Sequence, residues 1–391
     1  MILFVSGFSV KRRLVHFVNN RKTHLDLARG VAALAVCASH LRAFQFVTYS
    51  QVQSPSILDK LFYLVTGYGH EAVMVFFVLS GYFIAGSVSD SVGNGRWTWS
   101  GYALRRLTRL WLVLIPALVL TVFWDGLGGH FSGGRGYDGR FADVLHSGPT
   151  VMQPLAGGLL GFLGNVAFLQ TIACPAFGTN SPLWSLANEF WYYVLFPLGY
   201  LALWRRTSWP ARLVSALLCG LVAFALPPRI LLGFGVWLLG YGVYVAMRSS
   251  TCMRLLGNGF TFSVFSMLFL GILLSARTGL GGAGDFLLGV GFAGMMPFLV
   301  SHQPGWTGYR RVATALSEFS YTLYVVHFPM LAFLFFSFRL PAKSQPGFVA
   351  YLCFVGLLTL TLVYAAGIWW MFEKRTDSVR KRVELALWPK S

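Results

Sequence analysis

The chain has 391 residues, of which 56% are hydrophobic and only 11% are charged, and its formal net charge is +18. Soluble domains carry about 25% charged residues, so this composition excludes an ordinary soluble protein. A basic excess of this size would suggest nucleic acid as the partner of a soluble chain. In a membrane chain, the positive-inside rule and anionic lipid head groups explain most of it. We therefore expect membrane lipid, and not nucleic acid, as a partner.

The cysteines and the two ends of the chain give further constraints. The five cysteines are scattered through apolar runs and form no C-x-x-C pair, so neither a metal site nor a disulfide framework is indicated. The apolar stretch 1–10 precedes the basic residues at 11–13, which is the wrong order for a cleavable signal peptide. We interpret residues 1–24 and 374–391 as basic cytoplasmic tails.

Ten apolar stretches have the length of a membrane-spanning helix, which needs about 20 residues. They are, in chain order, residues 25–46, 68–88, 103–124, 183–203, 211–226, 230–247, 258–276, 283–301, 315–338 and 347–371. One further stretch, near 152–172, is long enough to span but is rich in glycine and contains proline and asparagine. Such residues disfavour a helix.

The distribution of basic residues decides whether 152–172 crosses the membrane. If it does not, and the N-terminus is cytoplasmic, 23 of the 31 Lys and Arg lie on the cytoplasmic side and 8 lie outside. If it does, the split becomes 14 inside to 17 outside, which violates the positive-inside rule. The sequence therefore predicts an all-α membrane protein of about ten transmembrane helices in one bundle, with both termini cytoplasmic. Residues 125–182 then form an external excursion, re-entrant or lying on the membrane surface.

The first span, 25–46, carries an arginine near its start, Arg29, and a histidine, His40, in its outer half. On a helix their spacing corresponds to a rise of about 16 Å. Ionisable groups are excluded from membrane helices unless they have partners or a task. These two residues are therefore candidates for a functional site.

Two further arginines lie near the cytoplasmic start of the third span. Arg106 and Arg109 are three residues apart, so they share one helix face. Two fixed guanidinium groups on one face suit a phosphate group. The alternative is ordinary positive-inside anchoring, which the charges alone do not exclude.

A carboxylate, Glu189, is embedded among aromatic residues in the fourth predicted span, close to its external end. Because an unpaired carboxylate in lipid is costly, Glu189 should face a cavity or a cation. A structural ion pair is the alternative. We group Glu189 with His40 as a centre in the outer half, with groups suited to general base catalysis on a hydroxyl. His327, in the middle of span 315–338, is either part of a pocket or a hydrogen-bonded packing residue.

Five segments, in this order, resemble the acyltransferase-3 family of integral-membrane O-acyltransferases. They are LDLARGVAALAVCASH, FFVLSGYFIAG, RRLTRLW, LWSLANEFWYYVLFPL and SYTLYVVHFPML. The family's Arg/Lys-x10-His pattern falls on Arg29 and His40, its Arg-x-x-Arg pattern on Arg106 and Arg109, and its WSL-x-x-Glu pattern on Glu189. Each segment is modest alone, but the five together make a specific signal.

The resemblance extends from Leu25 to about Glu373, and it defines one membrane domain over residues 25–373. Two positions depart from the family pattern. Met74 stands where an aspartate is common, and Leu112 stands where a proline is common, so no role of that aspartate is carried over. Some members also append an external SGNH-type esterase domain. None follows here, so we expect this chain to act alone or with separate polysaccharide-assembly proteins.

The resemblance implies a membrane O-acyltransferase that uses acyl-CoA, with acetyl-CoA as the expected donor substrate and no bound cofactor. The CoA phosphates would lie near Arg106 and Arg109, together with Arg29. His40 would act as general base on the acceptor hydroxyl or would become transiently acylated, and these two mechanisms stay open. Glu189 would orient or balance the histidine, or bind the sugar.

The expected acceptor is a cell-surface or lipid-linked carbohydrate. Pocket residues for it are Ser80, His327 and three aromatic residues, Trp184, Trp191 and Tyr192, which would stack on sugar rings. The alternative for the aromatic residues is the interfacial aromatic belt. A cytoplasmic donor and an external acceptor imply the cell inner membrane as the location.

A function from another class is a transporter with buried His/Glu proton-relay groups. It predicts broken helices in related halves of the chain, and no internal repeat is visible in the sequence.

Overall fold

A computed structural model describes residues 22–138, 157–275, 281–338 and 343–388. Within these ranges the chain is helical and contains no strand. The helices are α1 (Thr23–Gln45), α2 (Ile57–Val65), α3 (Gly69–Ser80), α4 (Gly86–Gly93), α5 (Trp99–Ser132), α6 (Gly158–Val166), α7 (Leu183–Leu203), α8 (Trp209–Ala225), α9 (Pro228–Ala246), α10 (Ser250–Leu256), α11 (Gly259–Ser275), α12 (Gly281–Ser301), α13 (Thr307–Glu318), α14 (Ser320–Phe338), α15 (Phe348–Met371) and α16 (Thr376–Leu387).

Parts of three predicted segments lie outside the described residues. These are most of the N-terminal tail, the middle of the excursion at 139–156, and the last three residues of the C-terminal tail.

In the described part of the chain, seven helices are long and apolar enough to cross a membrane, or eight if α10 and α11, bent by 62°, form one span. The predicted all-helical membrane class is confirmed at this level. These helices account for eight of the ten predicted spans. The remaining two are α8, which is apolar but shorter, and α7, which is not apolar enough to be counted among the seven. The count of ten and the cytoplasmic placement of the termini stay predictions.

Hydrogen bonds at the two ends of the bundle show the directions in which α7 and α8 run. The Tyr200 hydroxyl, near the end of α7, lies 2.9 Å from the Ser89 hydroxyl in α4. Arg229, which follows α8, donates to the Thr171 carbonyl at 2.9 Å, beside the start of α7. The two helices therefore run in opposite directions between the same two levels. Glu189 and several tyrosines reduce the hydropathy of α7. This explains why length and composition alone do not identify α7 as a candidate membrane span.

Two span boundaries differ from the prediction. The span predicted over 315–338 is broken at Phe319, whose φ of −104° and ψ of 6° end α13 before α14 begins. The span predicted over 103–124 continues to Ser132 and ends at Gly133, which has a φ of +61°. Its extension contains Asp125, whose carboxylate is held by Thr179 through the backbone N–H at 2.8 Å and the hydroxyl at 2.6 Å.

The described part of segment 152–172 does not form a spanning helix. It consists of α6, about 14 Å long from its nine residues, followed by turns. The carbonyls of Val166, at the end of α6, and of Phe168, in the following turn, accept hydrogen bonds from Trp111 and Trp191 at 2.9 and 3.0 Å. Both tryptophans belong to long helices of the bundle, so this segment enters it from the side. Irregular backbone at such a depth is tolerated where protein buries it, and Gln170 here is fully buried and donates to the Leu183 carbonyl.

The second predicted span crosses α9 at unusually short range. It combines α3, a π-helical turn at Gly81–Ala85, and α4. A Cβ atom on Gly81 would lie 1.8 Å from the Trp237 carbonyl oxygen, and one on Gly240 would lie 1.9 Å from the Val78 carbonyl oxygen. Only glycine permits this approach, as is common where membrane helices pack closely. π-Helical turns occur mostly at functional sites, and this one borders the site described below.

Gly240→Ala is expected to destabilise the fold by about 1–3 kcal/mol, because the new methyl group overpacks the crossing. Thermal unfolding in detergent measures the effect. Gly242→Ala is the matched control, since a Cβ there meets nothing within 4 Å. Equal unfolding midpoints for the two variants would contradict the close backbone approach of α9 and the second predicted span at Gly240.

The directions of α7 and α8 predict the result of reporter fusions. A reporter joined after Arg206, between α7 and α8, should lie in the cytoplasm, and one joined after Pro227, between α8 and α9, should lie outside. An alkaline phosphatase and green fluorescent protein pair at both sites measures this. An external signal at Arg206 would exclude the ten-span topology.

Candidate functional site

A cavity of about 1980 Å³ opens at one end of the bundle. Its rim contains Lys22, Asp90, Arg248 and residues of α16, which the predicted topology assigns to the cytoplasmic side. Arg248 pairs with Asp90 at 2.7 Å. Burial lowers the pKa of Lys22 to about 8, and its ammonium group contacts the Tyr82 hydroxyl. The rim is therefore basic and strongly hydrogen-bonded.

Three arginines predicted to bind the donor line this cavity together: Arg29 from α1, and Arg106 and Arg109 from α5. Among the described residues, none of the three forms a side-chain hydrogen bond or an ion pair within 4.0 Å. The Nε atom of Arg106 is buried and has no partner. Its guanidinium instead lies over the rings of Tyr102 and Tyr193, at 5.9 and 6.0 Å. Buried charges are normally paired, so this wall has unused capacity for an anion.

Glu189 lies on the wall of the same cavity, whereas His40, with which the sequence grouped it, is not among the described lining residues. Its carboxylate accepts a hydrogen bond from the Tyr193 hydroxyl, one helical turn further along α7. The Tyr193 hydroxyl also lies 3.3 Å from the Ser80 hydroxyl, which accepts from the Trp237 indole N–H at 3.1 Å. This chain of contacts fixes Glu189 and Ser80 in the cavity that the three arginines line. The sequence grouped Glu189 with His40 by depth alone, and depth does not give the direction in which a side chain points.

A further carboxylate of the cavity, that of Glu373, was missed by the sequence analysis. Glu373 follows α15 and accepts from the Thr322 backbone N–H at 3.2 Å and the Thr322 hydroxyl at 2.6 Å. It lines the same cavity as the arginines of α5. Its position just after the last predicted span, at the start of the basic tail, was the available signal.

His40 does not line the cavity. Its Nδ1 lies 2.9 Å from Nε2 of His327, which is fully buried. The ring of His327 is 6.3 Å from the ring of Tyr324, and Tyr324 does line the cavity. Tyr324 is held by the Ser185 hydroxyl at 2.6 Å and donates to the Pro182 carbonyl at 2.9 Å. The histidine pair therefore lies one aromatic ring beyond the inner end of the cavity.

The helix that carries His327 is fixed by its own proline. Pro329 has no N–H, so the Val325 carbonyl lacks its helical partner. The Asn180 side chain donates to that carbonyl at 2.9 Å and to the Thr121 hydroxyl at 3.2 Å. The loop before α7 therefore holds α14 against α5 beside the histidine pair.

The three aromatic residues predicted to contact the acceptor do not lie among the described walls of the cavity. Trp184 packs beside the rings of His70 and Phe77, at 6.3 and 6.4 Å. Trp191 is tied to the segment after α6, and Tyr192 is fully buried. Their observed contacts are internal, so a role in acceptor binding stays a prediction.

The family of the chain follows from sequence comparison. A family model described as an acyltransferase domain matches residues 23–368, which is nearly the whole chain. The chain belongs to this family, acyltransferase-3, and the resemblance predicted from its motifs is confirmed.

A curated relative, Acyltransferase MdmB of Streptomyces mycarofaciens, is 31% identical over 198 residues. The alignment covers 49% of this chain and 43% of the relative, so the chain spans less than half of that protein. No solved structure matches the chain.

Proposed function

We propose that this family member transfers an acyl group, acetyl in the first instance, from cytoplasmic acyl-CoA to a hydroxyl of a cell-surface or lipid-linked carbohydrate. The family supports acyl transfer. A donor from the cytoplasm and an acceptor outside the cell require the inner membrane. The transporter alternative loses its support, since family membership accounts for the same buried groups.

The observation that carries the proposal is the cavity wall of arginines without partners. An acyl-CoA presents a diphosphate and a 3′-phosphate, and Arg forms strong charge-assisted hydrogen bonds with phosphate. The volume of about 1980 Å³ exceeds the 300–1,000 Å³ of ordinary small-molecule pockets, as a nucleotide with a long pantetheine arm requires. Arg29, Arg106 and Arg109 would hold the phosphates.

The pantetheine arm would extend from the arginines toward Tyr324, the last ring before the histidine pair. Movement of Tyr324 away from Ser185 and the Pro182 carbonyl would admit the thioester to His40. The acceptor oxygen would then attack the thioester carbonyl carbon as its proton moves to His40. The C–S bond breaks, and the thiolate recovers that proton as free CoA. Direct attack by His40, followed by transfer from an acyl-histidine, uses the same placement.

Glu189 would act at the donor side of this arrangement. Because Tyr193 fixes its carboxylate on the wall shared with Arg29, it would balance the cationic wall and keep the arginines extended before the donor binds. Together with Glu373, which lines the same cavity, it would offset part of the repulsion among three guanidinium groups in a low-dielectric space.

Arg106→Gln is expected to raise the KM for acetyl-CoA about tenfold or more, because a lost charge-assisted contact costs about 1.5–3 kcal/mol. Initial rates of purified protein in nanodiscs give the value. Arg254→Gln, at an exposed arginine outside the cavity, should leave the KM unchanged. Equal KM values for both variants would show that the arginine wall does not bind the donor.

His40→Ala is expected to reduce acyl transfer by about 10²–10⁴-fold, the usual contribution of a general base. A deletion strain complemented with each variant, analysed for ester-linked acetate on its surface glycans, provides the measurement. His130→Ala, at an exposed histidine near the end of α5, is the control. Restored acylation by His40→Ala at matched protein level would refute the assignment.

A further inference from the structure

The hydrogen bonds of the histidine pair define which nitrogen of each ring carries a proton. His327 Nδ1 lies 2.9 Å from the Leu323 carbonyl oxygen, one turn earlier in α14. A carbonyl oxygen only accepts, so Nδ1 of His327 carries the hydrogen. In a neutral imidazole the other nitrogen, Nε2, is then an acceptor.

The same argument extends to His40. Its Nδ1 lies 2.9 Å from His327 Nε2, and since that nitrogen accepts, His40 Nδ1 must donate. The rings are nearly parallel, with 9° between their planes and 5.2 Å between their centroids. With two nitrogens only 2.9 Å apart, the rings meet edge to edge, as a lone-pair hydrogen bond requires. The remaining nitrogen of His40, Nε2, is left with a free lone pair.

We propose that His327 is a positioning residue that fixes His40 in the Nδ1–H tautomer and thereby makes Nε2 the reacting atom. The inference rests on the proposed function, whose catalytic histidine is His40. This role differs from the contact with the carbohydrate acceptor that the sequence predicted for His327. The full burial of the His327 ring agrees with a positioning role. Either mechanism uses Nε2, as the base that takes the acceptor proton or as the nucleophile that attacks the thioester carbon.

The surroundings explain how one tautomer is maintained. The Leu323 carbonyl accepts a hydrogen bond from the Nδ1–H of His327 within the same helix, so the orientation of His327 follows from α14 itself. Phe328 packs edge-on against His40 with ring centroids 5.0 Å apart, which limits rotation of that ring. When His40 gains a proton, its Nδ1–H already points at a neutral acceptor that shares the charge.

Three substitutions at His327 separate positioning from packing. A glutamine places its amide oxygen near the position of Nε2 and retains the acceptor for His40. An asparagine reaches only the position of Nδ1 and loses that acceptor, and a leucine loses both hydrogen bonds. We expect His327→Gln to retain kcat within about tenfold, and His327→Asn and His327→Leu to lose about a hundredfold or more, as wrong-tautomer variants do.

The KM for acetyl-CoA should change less than about twofold in all three variants, because the donor phosphates bind elsewhere. A packing role predicts instead that kcat follows the unfolding midpoint and that asparagine and glutamine behave alike. Wild-type kcat in folded His327→Leu, or equal kcat in His327→Gln and His327→Asn, would overturn the inference.

A second measurement does not depend on activity. Solid-state NMR of ¹⁵N-histidine-labelled protein in lipid reports which ring nitrogens carry hydrogen, and His40→Gln identifies the His40 signals. We expect His40 in the Nδ1–H form in the wild type and a shift toward Nε2–H in His327→Leu. An Nε2–H tautomer of His40 in the wild type would overturn the inference. Absence of transfer from any acyl-CoA by the wild type would refute the proposed function, while the NMR result would still decide the tautomer.

Discussion

Buried arginine side chains that make no direct hydrogen bond or ion pair within the described part of the chain are the constraint on which the rest of this structure depends. Arg29, Arg106 and Arg109 share one wall and have no side-chain partner among the described residues. Such groups are costly in a low-dielectric interior unless the bundle keeps a cavity around them. The cavity, the two tyrosine rings against the Arg106 guanidinium, and the carboxylates of Glu189 and Glu373 are the means by which the protein keeps three cations accessible.

The close crossing of the second predicted span and α9 helps to position the residues of this cavity wall. Glycines at positions 81 and 240 bring the backbones together, and the π-helical turn that starts at Gly81 follows directly on Ser80. Ser80 then connects Trp237 to Tyr193, and Tyr193 connects to Glu189. A close backbone contact between uncharged residues therefore helps to determine where a carboxylate of the cavity lies.

Much of this could be predicted from the sequence. Apolar length located the long helices, since every predicted stretch coincides largely with helix, and the predicted depth of Arg29, Arg106 and Arg109 on the cytoplasmic side grouped them in one site. Span boundaries were less accurate, because the break at Phe319 and the continuation past Asp125 depend on tertiary hydrogen bonds. The grouping of Glu189 with His40 rested on depth and not on helix face, so it did not predict that Glu189 would line the arginine cavity while His40 would not. The His40–His327 contact joins residues 287 positions apart, and no local pattern predicts such a contact.

The loop before α7 has one further consequence. Asn180 holds the carbonyl left free by Pro329, in the helix of His327, and the carbonyl of Pro182 holds the hydroxyl of Tyr324. One short segment thus secures both the ring at the inner end of the cavity and the helix that carries the histidine pair. A displacement of this segment loosens both together. Under the proposed function, the opening of the donor path at Tyr324 and the position of the histidine pair would therefore be mechanically coupled through this segment.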